Sequence, residues 1–81
     1  MQHRKNELYL VTVKTPASLH ESTIEAESLH RAACAGVVER GFEIDTGSWI
    51  KRPVQRINAH RLLSLESLRA PIRVTAEALT Y

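Results

Sequence analysis

Apolar and polar residues alternate over two segments of the chain, a pattern typical of β-strands that turn one face to a core. Before both of them, Leu8–Val13 is rich in β-forming residues and apolar at almost every position, which predicts a strand whose two faces are both at least partly covered. A loop at Thr15–Ser18 follows, and the alternation over Ser22–Ala26 predicts a second strand, antiparallel to the first. Ile72–Ala78 alternates again and predicts the final strand.

A helix is predicted from Leu29 to Arg40, because apolar and small residues recur there at helical spacing. Ser28 stands where an N-cap residue is needed, and Gly41 stands where a helix commonly ends in the left-handed conformation. The run A-A-C-A-G inside this segment is small throughout, which lets the helix lie close against a sheet. One stripe of the helix carries Leu29, Ala33, Gly36, Val37 and Arg40.

The middle of the chain is harder to assign. Phe42–Ile44 and Trp49–Lys51 flank the turn-forming residues D-T-G-S and predict a hairpin, which Pro53 interrupts. Val54–Leu68 fits helical and strand spacing equally well. For this segment we favour a strand followed by a short helical turn at Leu65–Arg69.

This order of elements predicts an α+β fold, with one helix packed on one face of a mostly antiparallel sheet of four to five strands. The 81 residues predict a single domain spanning residues 1–81, and formation of a homodimer would stabilise so small a core. The single cysteine excludes an intramolecular disulfide and favours a reducing cytoplasm. The apolar runs are too short for a membrane span or a signal peptide.

Charge is divided unevenly along the chain. Residues 1–45 carry five Lys/Arg and seven Asp/Glu, and residues 46–81 carry six and two, which together give the eleven and nine of the whole chain. Between Ser48 and Leu62 there are four cations, one tryptophan and no acid. Such a stretch is typical of a surface that faces nucleic acid or an acidic protein. Its candidate binding residues are Trp49, Lys51, Arg52, Arg56 and Arg61.

A second interpretation of this stretch is a solvated strand face whose cations pair with glutamates, with Trp49 as a core anchor. In a strand, alternation places Trp49 and Lys51 on the same side, and a neighbouring cation favours exposure of the tryptophan. The placement of the cations decides between the two interpretations. Convergence on one exposed face indicates a binding surface, and dispersal indicates a solvated face.

Residues that carry catalysis or bind metals do not occur at recognisable spacings. Cys34 lies in the middle of an alanine run, where a buried structural thiol is expected, and the glycine spacing fits no phosphate-binding loop. No pair of histidines has the spacing of a metal site. These histidines are His3, His20, His30 and His60. We therefore expect a protein that is not an enzyme and uses no cofactor or metal.

The segments L-Y-L-V-T-V and I-E-A-E-S-L, followed by an alanine-rich helix, resemble small phage-encoded anti-CRISPR proteins of the type I-F group. The resemblance covers residues 8–40, and its most specific part is Ile24–Leu29. It implies one helix on a curved antiparallel sheet. It also implies a non-enzymatic inhibitor, acting in the cytoplasm of a bacterial host, that blocks a crRNA-guided surveillance complex where target DNA would bind.

Such inhibitors occupy DNA-binding surfaces with acidic or polar side chains, which the acidic part of this chain can supply. The basic part departs from that pattern and favours contact with RNA, DNA or an acidic protein region. The acidic side chains are Glu21, Glu25, Glu27, Glu39, Glu43 and Asp45.

We therefore expect a small interaction protein of phage or mobile-element origin that binds and inhibits a host nucleoprotein complex, a Cas surveillance complex being the specific form. The alternative is direct nucleic-acid binding by a basic patch at residues 49–61, with Arg73 as a further contact. A third interpretation is a structural subunit whose basic segment packs against a partner.

Overall fold

One helix packs on one face of a five-stranded antiparallel sheet. The computed structural model describes residues 6–41, 49–52 and 61–79. The elements, in chain order, are β1 (Glu7–Lys14), β2 (Leu19–Ala26), α1 (Leu29–Glu39), β3 (Trp49–Arg52), β4 (Leu62–Ser67) and β5 (Arg73–Ala78). The predicted α+β class is thus confirmed.

The strands lie in the order β2-β1-β5-β4-β3, and every neighbouring pair is antiparallel. The last strand in the sequence, β5, therefore lies in the centre of the sheet between β1 and β4. Among the described strands, β2 and β3 form the two edges, so the chain segments that differ most in charge lie farthest apart. Four strand spacings separate them, which is about 19 Å.

The core lies between α1 and one face of the sheet, which we call the helix-bearing face. Residues directly paired across antiparallel strands share a face, so the register Val11↔Ala76 and Val13↔Val74 places buried side chains of β1 and β5 side by side. The buried apolar residues are Tyr9, Val11, Val13, Ala32, Ala33, Val37, Leu63, Ile72, Val74, Ala76 and Ala78.

The helix ends where its capping residues predict. The Ser28 hydroxyl accepts a hydrogen bond from the Arg31 amide, with 3.2 Å between the nitrogen and oxygen atoms. Beyond the last turn Gly41 has a φ of 85°, a conformation that side chains disfavour, and its amide donates to the Val38 carbonyl at 2.9 Å. The close approach of α1 to the sheet depends on Gly36, because a Cβ atom at this position would overlap Cγ1 of Val11.

Two of the predicted boundaries differ by more than one residue in the structure. β2 begins at Leu19, three residues before the predicted start at Ser22, because the pairing with β1 continues to the turn. The predicted helical turn at Leu65–Arg69 is wrong over its first three residues, which belong to β4. In the strand, Leu65 pairs with Val74 and packs against the core.

Some of the predicted elements lie outside the described residues. These are the strand at Phe42–Ile44 with its hairpin turn, and the part of Val54–Leu68 that precedes Arg61. β3 itself is described and ends at Arg52, the residue before Pro53. No helix in the described ranges has the length and apolar character needed to cross a membrane.

Candidate functional site

The face of the sheet opposite α1, called here the uncovered face, combines an apolar end, a polar middle and a charged end. In the described ranges no helix lies over it. Its apolar end carries Leu8, Leu10, Leu62 and Leu79, with Glu77 paired between Leu10 and Leu62 and Glu25 paired beside Leu8. Thr12, Thr75 and Ser64 form the middle. Arg52, Glu66, Arg73 and Lys14 form the charged end. At the apolar end, Leu8 is 45% and Leu79 is 42% exposed.

Two cations face each other at the charged end. Lys14 of β1 and Arg73 of β5 are directly paired in register, and both are exposed. Like charges placed directly opposite each other on a sheet destabilise it unless an anion lies between them. Lys14 forms no ion pair with a described residue, so its charge faces solvent.

Glu66 of β4 is shared by two arginines. Its Oε2 accepts a hydrogen bond from Arg52 Nε at 2.9 Å and lies 3.5 Å from Arg73 Nη2. The hydrogen bond from Arg52 and the positive charges of both arginines outweigh the partial desolvation of the carboxylate and lower the pKa of Glu66. With Lys14, this end of the uncovered face holds three cations and one carboxylate, which leaves a formal charge of +2.

We expect Arg52→Gln to raise the pKa of Glu66 towards its ordinary value, because the hydrogen bond from Arg52 contributes most to its lowering. The ion pair contributes its stability above the unfolded-state pKa of Glu66, and this contribution is lost as the pH falls through the lowered folded-state pKa. An NMR titration of the Glu66 carboxyl measures the change. Lys51→Gln is the control, and an unchanged Glu66 titration in Arg52→Gln would contradict the assigned contact.

A groove of about 320 Å³ adjoins the cation pair, between the turn that links β1 to β2 and the turn that links β4 to β5. Its size is near the lower end of the range for small-molecule sites, about 300–1,000 Å³. The groove therefore suits a side chain or a short segment of a partner better than a large enclosed substrate. It is lined by Lys14, Thr15, Pro16, Glu66, Pro71, Ile72 and Arg73.

Trp49 lies on the helix-bearing face, half-buried and packed against the core. It borders a small apolar cavity together with Ala33, Val37, Leu65 and Val74. The tryptophan thus has the position of a core anchor and is directed away from the uncovered face.

We expect the fluorescence of Trp49, the only tryptophan of the chain, to lie at shorter wavelength in the native protein than in denaturant, because its indole packs against apolar side chains. For the same reason, adding single-stranded DNA should leave the emission unchanged. Strong quenching by the oligonucleotide would show that the indole stacks on bases instead.

Within the predicted basic patch at residues 49–61, the cations that the structure describes do not converge. Lys51 pairs in register with Leu65 and lies on the helix-bearing side, whereas the next residue, Arg52, lies on the uncovered face. Arg61 Nη2 lies 3.7 Å from Oε2 of Glu7, near the other end of the strands. Arg56 is outside the described residues. Of the predicted binding residues, the structure thus places Arg52 beside the groove and separates Lys51 and Arg61 from it.

Sequence reasoning missed Lys14 and Glu66. Alternation alone places Lys14 on the same side of β1 as Leu8 and Leu10. Its position opposite Arg73, however, follows from the pairing of the first strand with the last, which no local pattern specifies. The charge pattern of the sequence emphasised residues 49–61 and so overlooked a lysine from the acidic part of the chain.

The described residues do not form a recognisable catalytic or metal centre. No group of three or more His, Cys, Asp or Glu side chains within these ranges can hold a metal ion. Cys34 Sγ lies 3.7 Å from His30 Nε2 on one side of α1, but burial raises the pKa of the thiol and so favours its unreactive protonated form.

Comparison of the chain with family models, with curated proteins and with solved structures finds no match.

Proposed function

We propose that this protein is a non-enzymatic binding protein that docks through the uncovered face of its sheet onto an acidic protein surface of a host nucleoprotein complex, and inhibits that complex by occupying the surface. The observation that carries the proposal is the pair of exposed cations, Lys14 and Arg73, held directly opposite each other beside a groove. An anionic group from a partner would relieve their repulsion.

A carboxylate is the group that this arrangement would accept best. The guanidinium of Arg73 offers planar donors for a carboxylate, and Lys14 adds a second charge from the neighbouring strand. Glu66 accepts a short hydrogen bond from Arg52 and a longer one from Arg73, so a partner carboxylate would compete with Glu66 for Arg73 but not for Lys14. The apolar groove walls formed by Pro16 and Pro71 favour an acidic side chain that is flanked by apolar groups.

The apolar end of the uncovered face favours a protein partner over a nucleic acid. Exposed leucines next to a charged rim resemble the composition of protein–protein interfaces, in which an apolar centre is bordered by polar groups. Proteins that bind single strands on a sheet usually present aromatic side chains for base stacking. None of the described residues on the uncovered face is aromatic, and Tyr9 and Trp49 are directed to the helix-bearing side.

Native gel electrophoresis with a purified type I-F crRNA-guided surveillance complex tests the specific form of this proposal. We expect the wild-type chain to form a stable complex and to reduce binding of target duplex DNA. Lys14→Glu combined with Arg73→Glu should abolish both effects while leaving the thermal melting curve cooperative. Absence of any association, or association that the double variant retains in full, would contradict the proposal.

Direct nucleic-acid binding is the second candidate function. It is favoured by the convergence of Lys14, Arg52 and Arg73 on one exposed face of the sheet. This function predicts a gel shift of duplex or single-stranded DNA at low salt, with an affinity that falls steeply as salt is added. Absence of a shift at low salt eliminates it.

A further inference from the structure

The free edge of β2 is a second surface with the properties of a binding site. β2 has eight residues and contains no proline. Within the described part of the chain it pairs only with β1, so one side of its backbone has no strand partner. Unpaired N–H and C=O groups on a long, regular edge can accept another strand.

The register identifies the backbone groups that point outward. The Thr15 amide donates to the Ser18 carbonyl at 2.9 Å, which makes these residues a hydrogen-bonded pair of the β1–β2 ladder. Hydrogen-bonded and non-hydrogen-bonded pairs alternate along an antiparallel ladder. Every second residue of β2 therefore directs its N–H and C=O to the free edge. These residues are Leu19, Glu21, Thr23 and Glu25.

Two of these four residues are glutamates, and their negative charge selects the partner. The side chains of Glu21 and Glu25 are exposed on the uncovered face, on either side of Thr23, and neither forms an ion pair with a described residue. A strand added at this edge would place alternate side chains beside them. Positive charges four residues apart in the added strand would therefore lie opposite both carboxylates.

We propose that the free edge of β2 binds an extended, cationic segment of a partner protein as a sixth strand of the sheet. The main-chain hydrogen bonds of Leu19, Glu21, Thr23 and Glu25 supply the binding, and the two glutamates select lysine or arginine at every fourth position. This surface differs from the cation pair in charge and uses the backbone edge of β2, although Lys14 lies next to it on β1 and pairs in register with Leu19.

A second copy of the chain fits this edge less well than a cationic strand. Pairing of β2 with β2 of another copy would bring Glu21 and Glu25 of both molecules together on one face. Like charges that face each other across neighbouring strands are destabilising. Self-association through β2 is therefore an outcome that the experiment must distinguish.

The test uses an acetylated, amidated peptide of about ten residues, the length of a long strand, with β-branched residues and two arginines four residues apart. We expect NMR to show that the peptide perturbs the amides of Leu19, Glu21, Thr23 and Glu25 first. Thr23→Pro should weaken binding by about tenfold, because it removes an outward N–H without removing a hydrogen bond to β1. Thr23→Val, which keeps the N–H, is the matched control.

A second variant keeps the proposal testable should Thr23→Pro disturb the strand. Glu21→Gln combined with Glu25→Gln leaves the backbone intact and should weaken peptide binding by about fivefold, as expected for two exposed ion pairs. A peptide with glutamates in place of its arginines should not bind. Equal binding of both peptides, or binding unchanged in both variants, would overturn the proposal. Concentration-dependent dimerisation that Thr23→Pro abolishes would overturn it in favour of a second copy.

Discussion

Val74→Asp should leave the chain without a stable fold. Val74 is completely buried in the central strand β5, where it faces α1. Leu65 of β4 is paired with it in register and lies beside it on the same face. An unpartnered carboxylate at such a position costs roughly 3–5 kcal/mol, which is comparable to the whole stability expected of a domain of this size. Far-UV circular dichroism and thermal melting measure the loss.

The matched control is the same substitution one residue later. Thr75 lies on the uncovered face of β5, between Thr12 and Ser64, and is only half-buried. We expect Thr75→Asp to fold with a loss of about 1 kcal/mol, the cost of aspartate in a strand. Equal losses of stability in the two variants would show that the two faces of β5 are equally buried, which would contradict the assignment of the uncovered face.

Gly36→Ala is expected to lower the free energy of unfolding by about 1 kcal/mol, whereas helix propensity alone would raise it. Alanine favours an isolated helix over glycine by about 1 kcal/mol. At Gly36, however, the new methyl group would overlap Cγ1 of Val11, a stiff and fully buried side chain. Overpacking of this kind costs about 1–3 kcal/mol. Chemical denaturation of both proteins measures the difference.

A second substitution, Val11→Ala, tests whether contact with Val11 is what destabilises the Gly36→Ala protein. It removes the methyl group that a Cβ at Gly36 would meet, so we expect Gly36→Ala to be neutral or stabilising in the Val11→Ala background. A double-mutant cycle would then show a coupling energy of about 1 kcal/mol or more. A Gly36→Ala protein that is more stable than wild type would show that α1 does not approach β1 as closely as described.

The elements with strong local patterns could be predicted from the sequence. β1 was predicted from its run of β-forming residues and β5 from its alternation, and each buries every second residue beneath α1. The helix was predicted from its small residues and from the capping pair Ser28 and Gly41, whose effects act within a few residues. The weak alternation before Ser22 hid the start of β2, because only Leu19 is apolar there and its side chain is exposed.

The elements that depend on long-range pairing could not be predicted. The segment that contains β4 fits a helix and a strand equally well, and its pairing with β5 decides the conformation of Leu63 and Leu65. The candidate site depends on pairing in the same way. Lys14 and Arg73 are far apart in the chain and meet because β5 inserts beside β1.

The fold separates the charges of the two parts of the chain across the sheet. The strand order places Glu21 and Glu25 at one edge of the sheet and the basic residues of β3 at the other. The acidic free edge and the cationic end of the uncovered face carry opposite charge and adjoin at Lys14, which pairs with Leu19 of β2.

The most direct test of docking through the uncovered face compares two lysines that receive the same substitution. Lys14 and Lys51 are both exposed, but Lys14 lies on the uncovered face and Lys51 on the helix-bearing side. Binding of each variant to the purified type I-F surveillance complex is measured by calorimetry. We expect Lys14→Glu to weaken binding by about tenfold or more and Lys51→Glu by no more than about twofold. Equal losses in the two variants, or a larger loss in Lys51→Glu, would contradict the account.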